Sequence, residues 1–117
     1  MKVYGIQILV DDVAAARAFY VDTLGLPLAW DMPQFGAFGV VVEPVQFIVT
    51  QAVEEGPRGA QPGRFIGVSI AVDDMDATYR DLTAKGVPFE GEPQKQPWGG
   101  TLAYFRDPSG NVLTLMA

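Results

Sequence analysis

The side chains that could carry chemistry in this chain are defined first by two types that are missing. Its 117 residues include no histidine and no cysteine. Imidazole and thiolate coordination of a transition metal is therefore unavailable, and neither a Ser-His nor a Cys-His nucleophile can be assembled. A general base has to be Asp, Glu, Lys or Tyr. Asp31, Glu43, Glu90 and Glu92 fall in or beside turns, where a carboxylate is ordinarily solvated. The pairs Asp11-Asp12 and Asp73-Asp74 each stand between an alternating apolar stretch and a helical pattern, where a carboxylate accepts from the free amides of a starting helix. What remains is a set of neutral hydrogen-bonding groups and two tryptophans, suited to orienting a ligand without ionising it.

The elements that must position these groups occur twice. Gly5-Ile6-Gln7-Ile8-Leu9-Val10-Asp11-Asp12-Val13 matches Gly67-Val68-Ser69-Ile70-Ala71-Val72-Asp73-Asp74-Met75 at a constant offset of 62 residues. Each copy reads as a strand that buries Ile6, Ile8 and Val10, or Val68, Ile70 and Val72. Helices are expected from about Val13 to Leu24 and from about Met75 to Lys85, with Gly25 and Gly86 as left-handed stops. Beyond the glycines, Leu26-Pro27-Leu28 matches Val87-Pro88-Phe89, now at an offset of 61. Each half then closes on a hairpin. One pairs Phe35–Val42 with Val45–Thr50 around Glu43-Pro44; the other pairs Gly100–Arg106 with Asn111–Met116 around Asp107-Pro108-Ser109-Gly110. The expected fold is α+β, two βαβββ repeats forming a curved mixed sheet around a cleft: repeat one 1–51, a Gly/Pro/Glu-rich linker 52–63, and repeat two 64–117.

Composition limits the partners. Hydrophobic residues make up 49% and charged residues 19%, a globular balance. Net charge is −6, and eight scattered basic residues do not supply the clustered cations that nucleic acid needs. The longest apolar run is about a third of a membrane span. Met1–Tyr4 leads straight into the first strand, and no secretory core or cleavage site fits there. A cytoplasmic protein that engages neither nucleic acid nor membrane is expected.

Strand alternation places Gln7, Gln46, Ser69, Tyr104 and Thr114 on the cleft side, with apolar positions between them. Trp30 and Trp98 fall near the rims of the two units, where a broad apolar face with one N–H donor suits stacking on a planar ligand; packing of a loop is the alternative for both. Phe38, flanked by glycines together with Phe35, is assigned to the same mouth. Tyr104 reads equally as a ligand contact or as a core tyrosine whose hydroxyl reaches water.

In Val10-Asp11-Asp12-Val13, Ala18-Phe19-Tyr20 with Leu24-Gly25-Leu26, Val72-Asp73-Asp74, and Tyr104-Phe105-Arg106-Asp107-Pro108-Ser109-Gly110-Asn111, the chain resembles the vicinal oxygen chelate superfamily. That group holds glyoxalase I, extradiol dioxygenases, and fosfomycin- and bleomycin-resistance proteins. Gln96-Pro97-Trp98-Gly99-Gly100 further resembles the bleomycin-resistance branch. The resemblance implies a divalent metal held by His and Glu, but the matching positions here are Gly5, Gly67, Thr114 and, near the fourth, Ile48. No metal and no other cofactor is expected. The resemblance also places Tyr104 where fosfomycin-resistance enzymes touch substrate, and implies a homodimer with clefts between subunits. The reading that follows is a metal-free binder of a partly aromatic small molecule, through Gln7, Trp30, Phe38, Gln46, Ser69, Trp98, Tyr104 and Thr114. The alternatives are a metal-independent lyase or isomerase using Tyr104 or a mouth acid, and, last, a divergent glyoxalase or dioxygenase.

Overall fold

A computed structural model of the chain describes residues 1–54, 56–57 and 59–117. Glu55 and Arg58 of the expected linker lie outside the described residues. The element order is β1 (Gly5–Val10), α1 (Val13–Arg17) continued by a π-helical segment (Ala18–Thr23), β2 (Leu28–Met32), a 3-10 turn (Pro33–Phe35), β3 (Ala37–Val42) and β4 (Val45–Gln51). The second unit follows as β5 (Phe65–Ala71), α2 (Met75–Ala84), β6 (Gln94–Lys95), β7 (Thr101–Arg106) and β8 (Val112–Met116). The strands form two four-stranded sheets with the same order, β1-β4-β3-β2 and β5-β8-β7-β6. In each, the first strand runs parallel to the last of its unit and the remaining pairs are antiparallel. The repeat expected from the sequence is thus a structural repeat.

Both helices begin as the Asp pairs dictate. Asp12 accepts from the Ala15 amide and Asp74 from the Ala77 amide, each at 3.0 Å. Gly25 and Gly86 end them with φ of 72° and 89°. The change of offset from 62 to 61 has a structural cause: helix one carries one more residue than helix two. It absorbs that residue as a π-helical turn, seen where the Leu24 amide donates to the Phe19 carbonyl five residues back, at 2.9 Å.

The wider turn brings two large side chains inward at once. Phe19 and Tyr20 are both buried. Tyr20 lies against Phe38 and Phe47 of the first sheet, while Phe19 lies against Phe105 of the second. The segment after α1 therefore contacts the inner faces of both sheets, and one core runs through the chain. The eight strands do not merge into one sheet within the chain, because this aromatic layer stands between the two units. No helix among the described residues is long and apolar enough to cross a membrane.

The final hairpin turn locks the units together. Asp107 is buried at 4% exposure and accepts four hydrogen bonds. Oδ1 takes the amides of Ser109 and Asn111, both at 2.9 Å; Oδ2 takes the Tyr20 hydroxyl at 2.7 Å and Asn111 Nδ2 at 3.0 Å. Asn111 also donates to the Leu9 carbonyl of β1 at 2.8 Å and accepts from the amides of Gly63 and Arg64. The Ser109 hydroxyl donates to Asp11 at 2.7 Å and accepts from its amide at 3.0 Å. Among the described residues, every buried polar side-chain atom has a partner.

Candidate functional site

Register fixes which side chains share a face. In the first sheet Gln7 pairs with Ile48, Ile48 with Gly39, and Gly39 with Trp30, which makes one continuous row across four strands. Gln46 lies one step along, opposite Gly5 and Val41. In the second sheet Ser69 pairs with Thr114 and Thr114 with Tyr104, an adjacent row of three hydroxyls. These residues alternate with the core positions Ile8, Val49 and Phe38 in one sheet and Leu113, Leu115, Ala103 and Phe105 in the other. Both rows therefore lie on the faces turned away from the core.

Phe38 does not belong to the mouth. It is 1% exposed, pairs with Val49, and its ring lies 6.4 Å from that of Tyr20. The flanking glycines suggested a flap. Instead Gly36 caps the 3-10 turn at φ 62°, and Gly39 makes room for an indole. Phe35, in that turn, is 73% exposed.

Glycine seats both tryptophans. A Cβ at Gly39 would lie 2.2 Å from Trp30 Nε1, and one at Gly100 would lie 2.0 Å from Trp98 Cζ3. Each indole thus rests against a backbone that only glycine leaves flat enough. Trp30 Nε1 donates to Gln46 Oε1 at 2.8 Å, so the Gln46 amide nitrogen is the part free to donate outward. Trp98 is 64% exposed, with its outer face open to solvent. Gly39→Ala is expected to evict Trp30, break its bond to Gln46 and cost about 1–3 kcal/mol. Read in a Trp98→Phe background, the emission should shift to the red; an unchanged spectrum at unchanged stability would count against this seating.

The two rows lie on different sheets. Between the units, a hollow of about 230 Å³ is lined by Gln7 and Leu9 of β1, Phe65 and Ile66 of β5, Arg64, Asn111 and the linker at 59–61. Phe65 in turn lies 6.3 Å, ring to ring, from Tyr104. Sequence reasoning missed Phe65 at this junction. Its signal was position: it opens β5 two residues before Gly67, on the same side as Ser69.

The acids named as possible bases are engaged elsewhere or sit in water. Asp31 accepts from Arg17 Nε at 2.8 Å, Glu90 is bonded to Arg106, and Glu43 and Glu92 are exposed. The positions at which the resemblance places metal ligands do not fit a metal. A Cβ at Gly5 would fall 2.8 Å from Ile48 Cδ1 and 2.9 Å from the Gln46 carbonyl, so Ile48 already covers the site where a ligand side chain would start. Gly67 has φ of 75°, in a stretch where the β5–β8 register slips, and Thr114 is buried beside Ser69. Among the described residues, no three Asp or Glu side chains cluster closely enough to hold an ion.

Two four-stranded sheets of the same strand order, each built from one βαβββ unit, define a fold class whose chemistry varies with the residues placed on it. The chain belongs to the glyoxalase/bleomycin resistance protein/dioxygenase superfamily, whose model matches residues 4–115. It is 30% identical to YraH of Bacillus subtilis strain 168, over 98% of this chain and 97% of that protein. A superfamily member from Sphaerobacter thermophilus DSM 20745 superposes with a TM-score of 0.83 at 33% identity, covering 99% of this chain and 96% of that one. TnmS3, an antibiotic binding protein from Streptomyces sp. CB03234, superposes with a TM-score of 0.79 at 31% identity, covering 98% and 93%.

Proposed function

We propose that this chain is a metal-free binding protein for a neutral, partly aromatic small molecule, and that it works as a homodimer. The observation that carries the reading is the pair of glycine-seated indoles. Each is held by packing, so little side-chain freedom remains to be lost when a planar ligand stacks. Uncharged hydrogen-bonding groups share the same sheet faces: the Gln46 amide that Trp30 meets, Gln7 bonded to Thr50 at 3.5 Å, and the Ser69 and Tyr104 hydroxyls. The likeness to an antibiotic binding protein at 31% identity supports binding over turnover.

The separation of the two rows supports dimerisation. A ligand lying on one sheet face is covered on one side only, and a second copy can supply the other wall. Exposed apolar side chains at these faces and edges, Phe65 at 63%, Met32 at 43% and Leu28 at 38%, would be covered by such an arrangement. Light scattering is expected to give twice the 12.6 kDa chain mass.

The test is titration with flavone, a neutral planar aromatic carrying a carbonyl acceptor. Expected are saturable quenching of tryptophan emission, no product, and no change on adding chelator. Gly100→Val, which displaces Trp98, should weaken binding by about tenfold. A tightly held transition metal in elemental assay, or chelator-sensitive binding, would sink the reading. Turnover that survives chelator and is lost in Tyr104→Phe would move the protein to the lyase or isomerase class instead.

A further inference from the structure

The two units differ where their repeat would make them alike. Ile8 and Val10 of β1 are completely buried, whereas their repeats in β5, Ile70 and Val72, are only half-buried. The cause lies in the helices. Tyr20 closes over the first sheet and Phe19 beside it reaches Phe105, but the corresponding turn of α2 offers Asp81 and Leu82, of which Leu82 alone is buried. The missing aromatic volume leaves a hollow of about 390 Å³ between α2, the end of the π-helical segment and the second sheet.

We propose that this hollow is a second ligand site, separate from the sheet faces, and that it takes an uncharged, hydrocarbon-rich molecule. Its walls are the side chains of Leu24, Ile70, Val72, Leu82, Phe105 and Leu115. Protein interiors are otherwise close-packed, and an apolar space of this size falls within the range of about 300–1,000 Å³ typical of small-molecule pockets. The rim sets the charge of the guest. Lys85 Nζ lies 3.1 Å from Asp81 and 3.5 Å from the Thr23 carbonyl, so the two charged groups neutralise each other and neither requires a counter-charge. The hydroxyls of Thr23 and Thr78 line the same rim and can serve one neutral polar group on the guest. Ile70 and Leu115 alternate along their strands with Ser69 and Thr114, so this site opens on the opposite face of the second sheet from the hydroxyl row. It stands or falls independently of the proposed function.

The probe is N-phenyl-1-naphthylamine, which is neutral and fluoresces in apolar surroundings. On titration the methyl resonances of Ile70, Leu82 and Leu115 are expected to shift, while those of Ile48 and Leu102 stay in place. Leu82→Phe, which returns an aromatic ring to the gap, should weaken probe binding by about tenfold or more and leave flavone quenching as in the parent. Thr78→Phe fills the rim instead and gives a second reading should Leu82→Phe not fold. Shifts at Ile48 and Leu102, unaltered probe affinity in the folded variants, or probe uptake that falls as protein concentration rises would each overturn the assignment. The last result would mean that a second copy of the chain fills the hollow.

Discussion

Asn111→Ala is expected to lower the unfolding free energy by about 3 kcal/mol or more, the largest effect of any single truncation outside the apolar core. The side chain is 1% exposed and makes four hydrogen bonds. Alanine strands the Leu9 carbonyl and the amides of Gly63 and Arg64 and takes one donor from the Asp107 carboxylate. The Asp107 carboxylate and the Leu9 carbonyl lose their partner inside the fold, and each group left unsatisfied costs about 1–3 kcal/mol. Asn111→Asp should be worse still near neutral pH, because it places a carboxylate oxygen where Nδ2 now meets Asp107 at 3.0 Å. Denaturant unfolding at fixed protomer concentration measures both, since a dimer would make stability concentration-dependent. A change within about 0.5 kcal/mol for the alanine variant, the range of ordinary surface positions, would show that the turn is not the lock described above.

That lock also explains which part of the molecule the sequence discloses. Strands, caps and helix stops follow from local rules: alternation buries Ile8 and Val10, the second Asp of each pair caps a helix, and Gly25 and Gly86 end them. Even the shift in repeat offset was visible, although only the structure turns it into a π-helical turn. Contacts across long separations were not legible. Tyr20 and Asp107 lie 87 positions apart, and nothing in either segment names the other. The stretch Asp107–Asn111 carried part of the family resemblance, yet the side chains of Asp107, Ser109 and Asn111 hold the units together. Phe38 was misplaced for a related reason. The parity of β3 depends on where the 3-10 turn ends, and the two glycines beside Phe38 serve a turn and an indole. Trp30 and Gly39 are register partners, which an unpaired strand cannot reveal.

Such long-range ties make the second large prediction one of pH. Tyr20→Phe removes the 2.7 Å hydrogen bond to a buried carboxylate and should cost about 2 kcal/mol at neutral pH. Burial first, then the charge of Asp107, then the hydrogen bond itself, push the Tyr20 phenol far above its ordinary value of 10.0. The folded chain therefore keeps this proton where the unfolded chain releases it. The stabilisation is complete below pH 10 and declines as pH rises, because the unfolded state then binds fewer protons than the native one. The expected extra slope is about 1.4 kcal/mol per pH unit in the wild type, absent in Tyr20→Phe. The gap between the two proteins should therefore narrow and close within about 1.5 pH units above the phenol's ordinary value. Parallel stability profiles from neutral to strongly alkaline pH would mean that Tyr20 ionises as readily in the folded chain as in the unfolded one, and would overturn this account of the Tyr20–Asp107 pair.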